Sequence, residues 1–190
     1  MNALISAMSP EQAAHEARQA VADGFRALKV KVGAASLDED VRLLAAVREA
    51  AGPDIALRAD ANAAWSGPRA IEALRRMEPF RLEYVEQPVG DIAEMAAVCR
   101  ASAVPLAADE LLTSAHEARR LLALSAARVF IVKAARTGLL GALDIARLAA
   151  RNAVPVVVTS SLETGVGIAA SLHLAAATWR DGSPACGPSS

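Results

Sequence analysis

Residues 82–133 read LEYVEQPVGDIAEMAAVCRASAVPLAADELLTSAHEARRLLALSAARVFIVK. Three short β-rich runs lie in this stretch, at 82–86, 104–109 and 129–133, and each ends in a charged residue. An alanine- and leucine-rich amphipathic segment separates each run from the next. Working outward, the same unit recurs at 27–32 (ALKVKV), 55–60 (IALRAD) and 154–160 (VPVVVTS), with a weaker run at 2–6 (NALIS). The polar ends fall at 31, 60, 86, 109, 133 and 160, a spacing of about 25 residues. That is the size of one strand, one helix and two short loops. The spacing predicts a single domain over 1–190. Its strands end near 6, 31, 60, 86, 109, 133 and 160, and a partial last strand lies at 185–190.

The segments between the runs carry helix punctuation. Ser9-Pro10-Glu11-Gln12, Ser36-Leu37-Asp38-Glu39 and Ser114-Ala115-His116-Glu117 read as capped helix starts. Asp91 caps another, Gly24 and Gly52-Pro53 mark stops, and Gly138 is expected to precede the sixth helix. The β-rich runs are almost continuously apolar up to their polar ends, as in a parallel sheet covered on both faces. Alternating strand and helix means an α/β fold. A doubly wound sheet usually carries a glycine-rich phosphate loop after its first strand. Here Gly33 is followed by Ala34-Ala35-Ser36, so no such loop is present. Polar residues at the ends of many successive strands point instead to a (β/α) barrel of the TIM type.

Composition narrows the function classes. Of 190 residues, 54% are hydrophobic, 3% aromatic and 22% charged, with a net charge of −1. Few aromatics and no basic block argue against a nucleic-acid partner. No apolar run approaches the roughly 20 residues of a membrane span, so no membrane partner is expected. No signal-like leader is visible, and a cytoplasmic location is the expectation. Cys99 and Cys186 have neither ligand spacing nor a disulfide framework. The histidines, His15, His116 and His173, lie in helical patterns away from strand ends.

The strand ends hold the chemistry. Asp60, Glu86 and Asp109 stand at the ends of three consecutive strands. Closed into one barrel mouth, three carboxylates repel unless a cation sits among them. Their donors are all oxygen, which suits Mg²⁺, with Mn²⁺ as the alternative. Lys29 and Lys31 lie two apart on one strand and share a face. Two like charges there, in an apolar segment, are expected to lower each other's pKa, as a lysine base requires. Lys133 approaches from the opposite side of the mouth. A small-molecule carboxylate between the lysines can lose the proton on its α-carbon, giving an enediolate stabilised by the cation. Arg58, on the same face as Asp60, is expected to pair with a charge inside the barrel. Asn62, Gln87, Glu110 and Arg136 lie close by but receive no role from the sequence.

These pieces together resemble the enolase superfamily, in its muconate-lactonizing subgroup. The matching motifs are Lys29-Val30-Lys31, Asp60-Ala61-Asn62, Glu86-Gln87-Pro88, Asp109-Glu110 and Lys133 in VFIVKAARTGLLGA, in family order. The resemblance implies that Asp60, Glu86 and Asp109 hold Mg²⁺. It makes Lys31 the proton-transfer residue on one face, tuned by Lys29, and Lys133 the lysine on the other. The segment VVVTSSLETGVGIAASLHLAAAT, followed by PACG, is similar to o-succinylbenzoate synthases, the dehydratases of menaquinone biosynthesis. That similarity sets Ser160 and Ser161 beside the substrate's succinyl carboxylate; their other reading is a cap for the seventh helix. Dipeptide epimerases and cycloisomerases of the same subgroup remain alternatives.

Family members also carry an N-terminal α+β capping domain, completed by the C-terminal tail. The expectation here is a barrel truncated in strand eight and lacking that cap. Two further readings follow: a barrel with little or no activity that persists as a binding or self-associating module, and an aldolase using Lys133 as a Schiff-base nucleophile.

Overall fold

Helices begin where hydroxyl and carboxyl caps meet free backbone N–H groups. The computed structural model describes residues 1–161 and 163–178. Ser9 accepts from the Gln12 N–H at the start of α1 (Pro10–Ala22), with Pro10 as its first residue. Ser36 and Glu39 form a reciprocal capping box at α2 (Leu37–Ala51). Asp91 accepts from Ala93 and Glu94 before α4 (Ile92–Ala101), and Ser114 from Glu117 before α5 (Ala115–Ala123). Each such cap contributes on the order of 1 kcal/mol. The remaining helices are α3 (Gly67–Met77), α6 (Ala134–Arg151) and α7 (Gly165–Thr178). The sixth has the expected break: Gly138, at φ 69°, is non-helical and separates a short lead-in from the long segment that follows it. A first turn closes on the Lys133 carbonyl, which accepts from Arg136 and Thr137, and glycine supplies the left-handed step.

The strands are β1 (Ala3–Ile5), β2 (Ala27–Lys31), β3 (Ala56–Asp60), β4 (Tyr84–Glu86), β5 (Leu106–Ala108), β6 (Val129–Val132) and β7 (Val156–Val158). They form one parallel sheet in chain order, β1 through β7. An in-order parallel sheet advances one strand per crossover, always in one direction. With a fixed right-handed crossover this sends every helix to the same face, as in a barrel and unlike a doubly wound sheet, which reverses. Among the described residues β1 and β7 each pair with one strand, so seven strands of the expected closed barrel are seen. The expected last strand at 185–190, which includes Cys186, lies outside the described residues.

Side chains alternate across this sheet. Leu28 and Val30, Leu57 and Ala59, Val85, Phe130 and Val132 pack with Ala13, Leu44, Leu74, Met95, Leu121 and Ile145 of the helices in one buried core. The intervening residues face the other way. A smaller inner cluster contains Tyr84, Ala107, Val129, Ile131 and Val157. Arg58 belongs to this inner layer, only 1% exposed. Its Nε donates to Glu83 at 2.6 Å, its Nη1 to Asn2 Oδ1 at 3.1 Å, and its guanidinium lies 5.0 Å from the Tyr84 ring centre. The expected interior ion pair is therefore present. Cys99 and Trp65 are buried, and all three histidines are exposed.

Candidate active site

One step toward the C-terminal strand ends, the inner face turns from apolar to charged. Register does this. Lys31 pairs with Asp60 across β2 and β3, Asp60 with Glu86 across β3 and β4, and Glu86 with Ala107 of β5, two residues before Asp109. Asp60, Glu86 and Asp109 are each 1% exposed. The structure thus brings the three acids to one end of three adjacent strands.

The lysines meet them there. Lys29 Nζ lies 3.3 Å from Glu86 Oε2 and 3.5 Å from Asp60 Oδ2. Lys31 Nζ donates to the same Asp60 oxygen at 2.7 Å and to Asn62 Oδ1 at 2.6 Å. From β6, Lys133 Nζ reaches Asp109 Oδ2 at 2.5 Å, and Arg136 Nη1 reaches Asp109 Oδ1 at 2.9 Å. The two β2 lysines are unequal. The Lys29 side chain is 7% exposed and the Lys31 side chain 45%, so only Lys31 is open to a molecule at the mouth.

Electrostatics correct one expectation. Burial works to lower the Lys29 pKa, but Glu86 and Asp60 outweigh it and the net direction is upward. Its like-charged neighbour does not depress it. Glu86 is pushed up to about 8, by burial first, with Asp60 and Asp109 adding to the rise and Lys29 opposing it. The causes differ: the facing carboxylates Glu86 and Asp60 raise Lys29, whereas Glu86 is raised first by its own burial, and both groups hold their protons tightly.

Among the described residues no three His, Cys, Asp or Glu side chains converge as they stand on one metal-binding point. Lysine ammonium groups lie against the carboxylates instead. The donor set nevertheless fits a hard divalent cation: three buried carboxylates at the ends of adjacent strands, with oxygen donors only.

Several residues without a role in the sequence reading find partners. Asn62 links Lys31 to Glu110, donating to Glu110 Oε1 at 2.9 Å, while its backbone N–H donates to Asp60 Oδ1 at 3.1 Å. The second Glu110 oxygen, Oε2, is buried with no hydrogen-bond partner among the described residues, as is Thr159 Oγ1. Asn62 and Ala63, two and three residues after Asp60, and Gln87, directly after Glu86, all have positive φ. Backbone held in this region outside glycine is costly and gathers at functional sites. Only the polar character of Asn62 and Gln87 beside the motif acids hinted at this in the sequence. Ser160 is buried after β7 and Ser161 is exposed, its N–H donating to Glu163. Helix α7 starts at Gly165, so neither serine is its N-cap.

Comparison with known proteins gives these features a setting. Residues 12–184 match the family described as "Enolase C-terminal domain-like". An o-succinylbenzoate synthase from Thermobifida fusca is 41% identical over 179 residues, covering 93% of this chain and 55% of that protein. A D-Ala-D/L-Ala epimerase from Cytophaga hutchinsonii is 37% identical over 174 residues, covering 90% and 47%. The crystal structure of a dipeptide epimerase from Cytophaga hutchinsonii, complexed with Mg and the dipeptide D-Ala-L-Val, superposes with a TM-score of 0.88. That pair is 36% identical, and the match covers 92% of this chain and 48% of the other. The chain spans about half the length of the curated relatives it matches.

Proposed function

This chain belongs to the enolase C-terminal domain-like family, and we propose that its strand-end cluster moves a proton at the carbon next to a substrate carboxylate. In this reading Asp60, Glu86 and Asp109 hold Mg²⁺, or Mn²⁺ in its place. The bound ion supplies electrostatic stabilisation of the negative charge that develops on the substrate carboxylate. Lys31, half exposed at the mouth, takes or returns the proton on one face. Lys29, buried between Glu86 and Asp60, stays charged and fixes both carboxylates. Lys133 serves the opposite face as a base or as a cation beside the intermediate.

The observation that carries this reading is the bracketing of the trio. Lys31 reaches its β3 end at Asp60 and Lys133 its β5 end at Asp109. A substrate carboxylate drawn to a cation among the acids would have an amine on either side. The reaction we propose is dehydration to o-succinylbenzoate, supported by the 41% identity to the Thermobifida fusca enzyme. Ser160 and Ser161 then receive the distal carboxylate of a small dicarboxylate substrate. Epimerisation of a dipeptide is the second reading. Lysines on two faces suit removal of a proton from one side and its return from the other, and an epimerase is among the relatives.

Turnover tests both. The 190-residue chain with Mg²⁺ is expected to convert the o-succinylbenzoate precursor, and to lose that activity with EDTA, in Lys31→Ala or in Asp109→Asn. Full activity without metal would overturn the proposal. Epimerisation of dipeptides without turnover of the precursor would select the second reading.

A further inference from the structure

We infer that Gln87 is a positioning residue that fixes Asp109 relative to Glu86, and so sets the affinity of the acidic trio for a divalent cation. The inference rests on the cation reading proposed above. Gln87 directly follows Glu86 and is wholly buried. Its backbone stands at φ 39°, a conformation a glutamine keeps only when its surroundings hold it there. The backbone hold is double: its N–H donates to the Ala107 carbonyl of β5 at 2.8 Å, and its carbonyl accepts from Ala63 N–H at 2.7 Å. The loops that follow Asp60 and Glu86 are thereby joined.

The side chain extends the join to the third acid. Its Oε1 accepts from the Asp109 N–H at 2.9 Å and from the Leu111 N–H at 3.2 Å. Its Nε2 donates to the Val89 carbonyl at 2.6 Å. One buried amide therefore ties the turn after β4 to the turn after β5, and the Asp109 backbone hangs from it. The oxygen serves two donors, and one of the two amide N–H groups serves one acceptor. Methionine offers neither. Glutamate keeps the oxygen for both N–H groups but turns a second oxygen toward the Val89 carbonyl. Partners that orient ligating groups typically change metal affinity by roughly 10- to 100-fold when removed.

The test pairs two readouts on the 190-residue chain. Amide hydrogen exchange is measured metal-free, and Mn²⁺ binding is titrated by electron paramagnetic resonance. In Gln87→Met the Asp109 and Leu111 amides are expected to lose protection while Val85 and Phe130 keep theirs, and Mn²⁺ binding to weaken at least tenfold. Gln87→Glu is expected to restore protection of both amides and bind Mn²⁺ more tightly than the methionine variant. If the methionine variant does not fold, Gln87→Asn replaces it, because one methylene less cannot span both turns. Unchanged protection of Asp109 and Leu111 would overturn the positioning role. Lost protection with Mn²⁺ affinity within twofold of wild type would overturn the link to the cation. Failure of the wild-type chain to bind Mn²⁺ would instead overturn the cation reading, with the exchange data still deciding the positioning role.

Discussion

The inner face of this sheet carries buried charge at two levels, one step apart on the same strands, and the levels behave differently. On β3 the lower residue is Arg58 and the upper is Asp60; on β4 the lower is Tyr84 and the upper is Glu86. The lower level is settled. Arg58 has Glu83, Asn2 and the Tyr84 ring around it, so its charge is answered within hydrogen-bond reach. At the upper level three carboxylates share their space with Lys29, Lys31, Lys133 and Arg136, and Glu86 is still pushed up to about 8. The lower level satisfies a fold's requirement that buried charge be paired. The upper level instead gathers three buried carboxylates with ammonium groups that a divalent cation and an anionic substrate would displace.

The largest effect expected from breaking this contrast is at the upper level. Asp60→Asn or Asp109→Asn should lower Mg²⁺-dependent turnover by roughly 10³-fold or more, measured as product formed at a Mg²⁺ concentration that saturates the wild type. Lys31→Ala and Lys133→Ala should each cost about 10²- to 10⁴-fold in turnover and leave a bound cation in place, a split that joint activity and binding measurements reveal. At the lower level Arg58→Met should destabilise the chain by about 3 kcal/mol in urea unfolding, without removing Mg²⁺ binding.

A subtler difference is pH dependence. Glu86 binds its proton more tightly in the folded chain than at the ordinary glutamate value of 4.5. Between that value and about 8 the metal-free folded state holds a proton that the unfolded state has released. Stability of the metal-free chain should therefore fall as pH rises through this window. Mg²⁺ should reverse the trend, because binding needs the ionised carboxylate. Thermal unfolding from pH 5 to 8.5, with and without Mg²⁺, checks the sign. The smallest effect is expected at exposed Ser161, where Ser161→Ala should raise KM only about threefold, one lost hydrogen bond to an exposed group.

Much of this contrast is legible in the sequence. Regular spacing of polar-ended apolar runs foretells seven strands in chain order, and the alternation of Leu28-Lys29-Val30-Lys31 assigns the lysines to the inner face. Asp60, Glu86 and Asp109 are legible because each carboxylate closes a mostly apolar run. The unequal exposure of Lys29 and Lys31 is not legible, since it depends on how far each stands along the strand relative to Glu86 and Asp60. The pKa direction of Lys29 escaped for the same reason: sequence neighbours suggested repulsion from Lys31, while the closest charges come from β3 and β4. Gln87 was invisible as a positioning residue because its three side-chain bonds reach backbone atoms at 89, 109 and 111, and backbone atoms carry no sequence signature. A glycine at position 138 reads as a boundary and is one; the short turn ahead of it, held by the Lys133 carbonyl, is not legible.

The central claim is that the upper level, and not the lower, is a divalent-cation site. Calorimetric titration of Mg²⁺ into the wild-type chain, Asp60→Asn, Glu86→Gln, Asp109→Asn and Arg58→Met tests it most directly. The account predicts one saturable ion per chain in wild type and Arg58→Met, and none in the three carboxylate variants. Binding that survives in folded carboxylate variants, or is absent from the folded wild type, would contradict it.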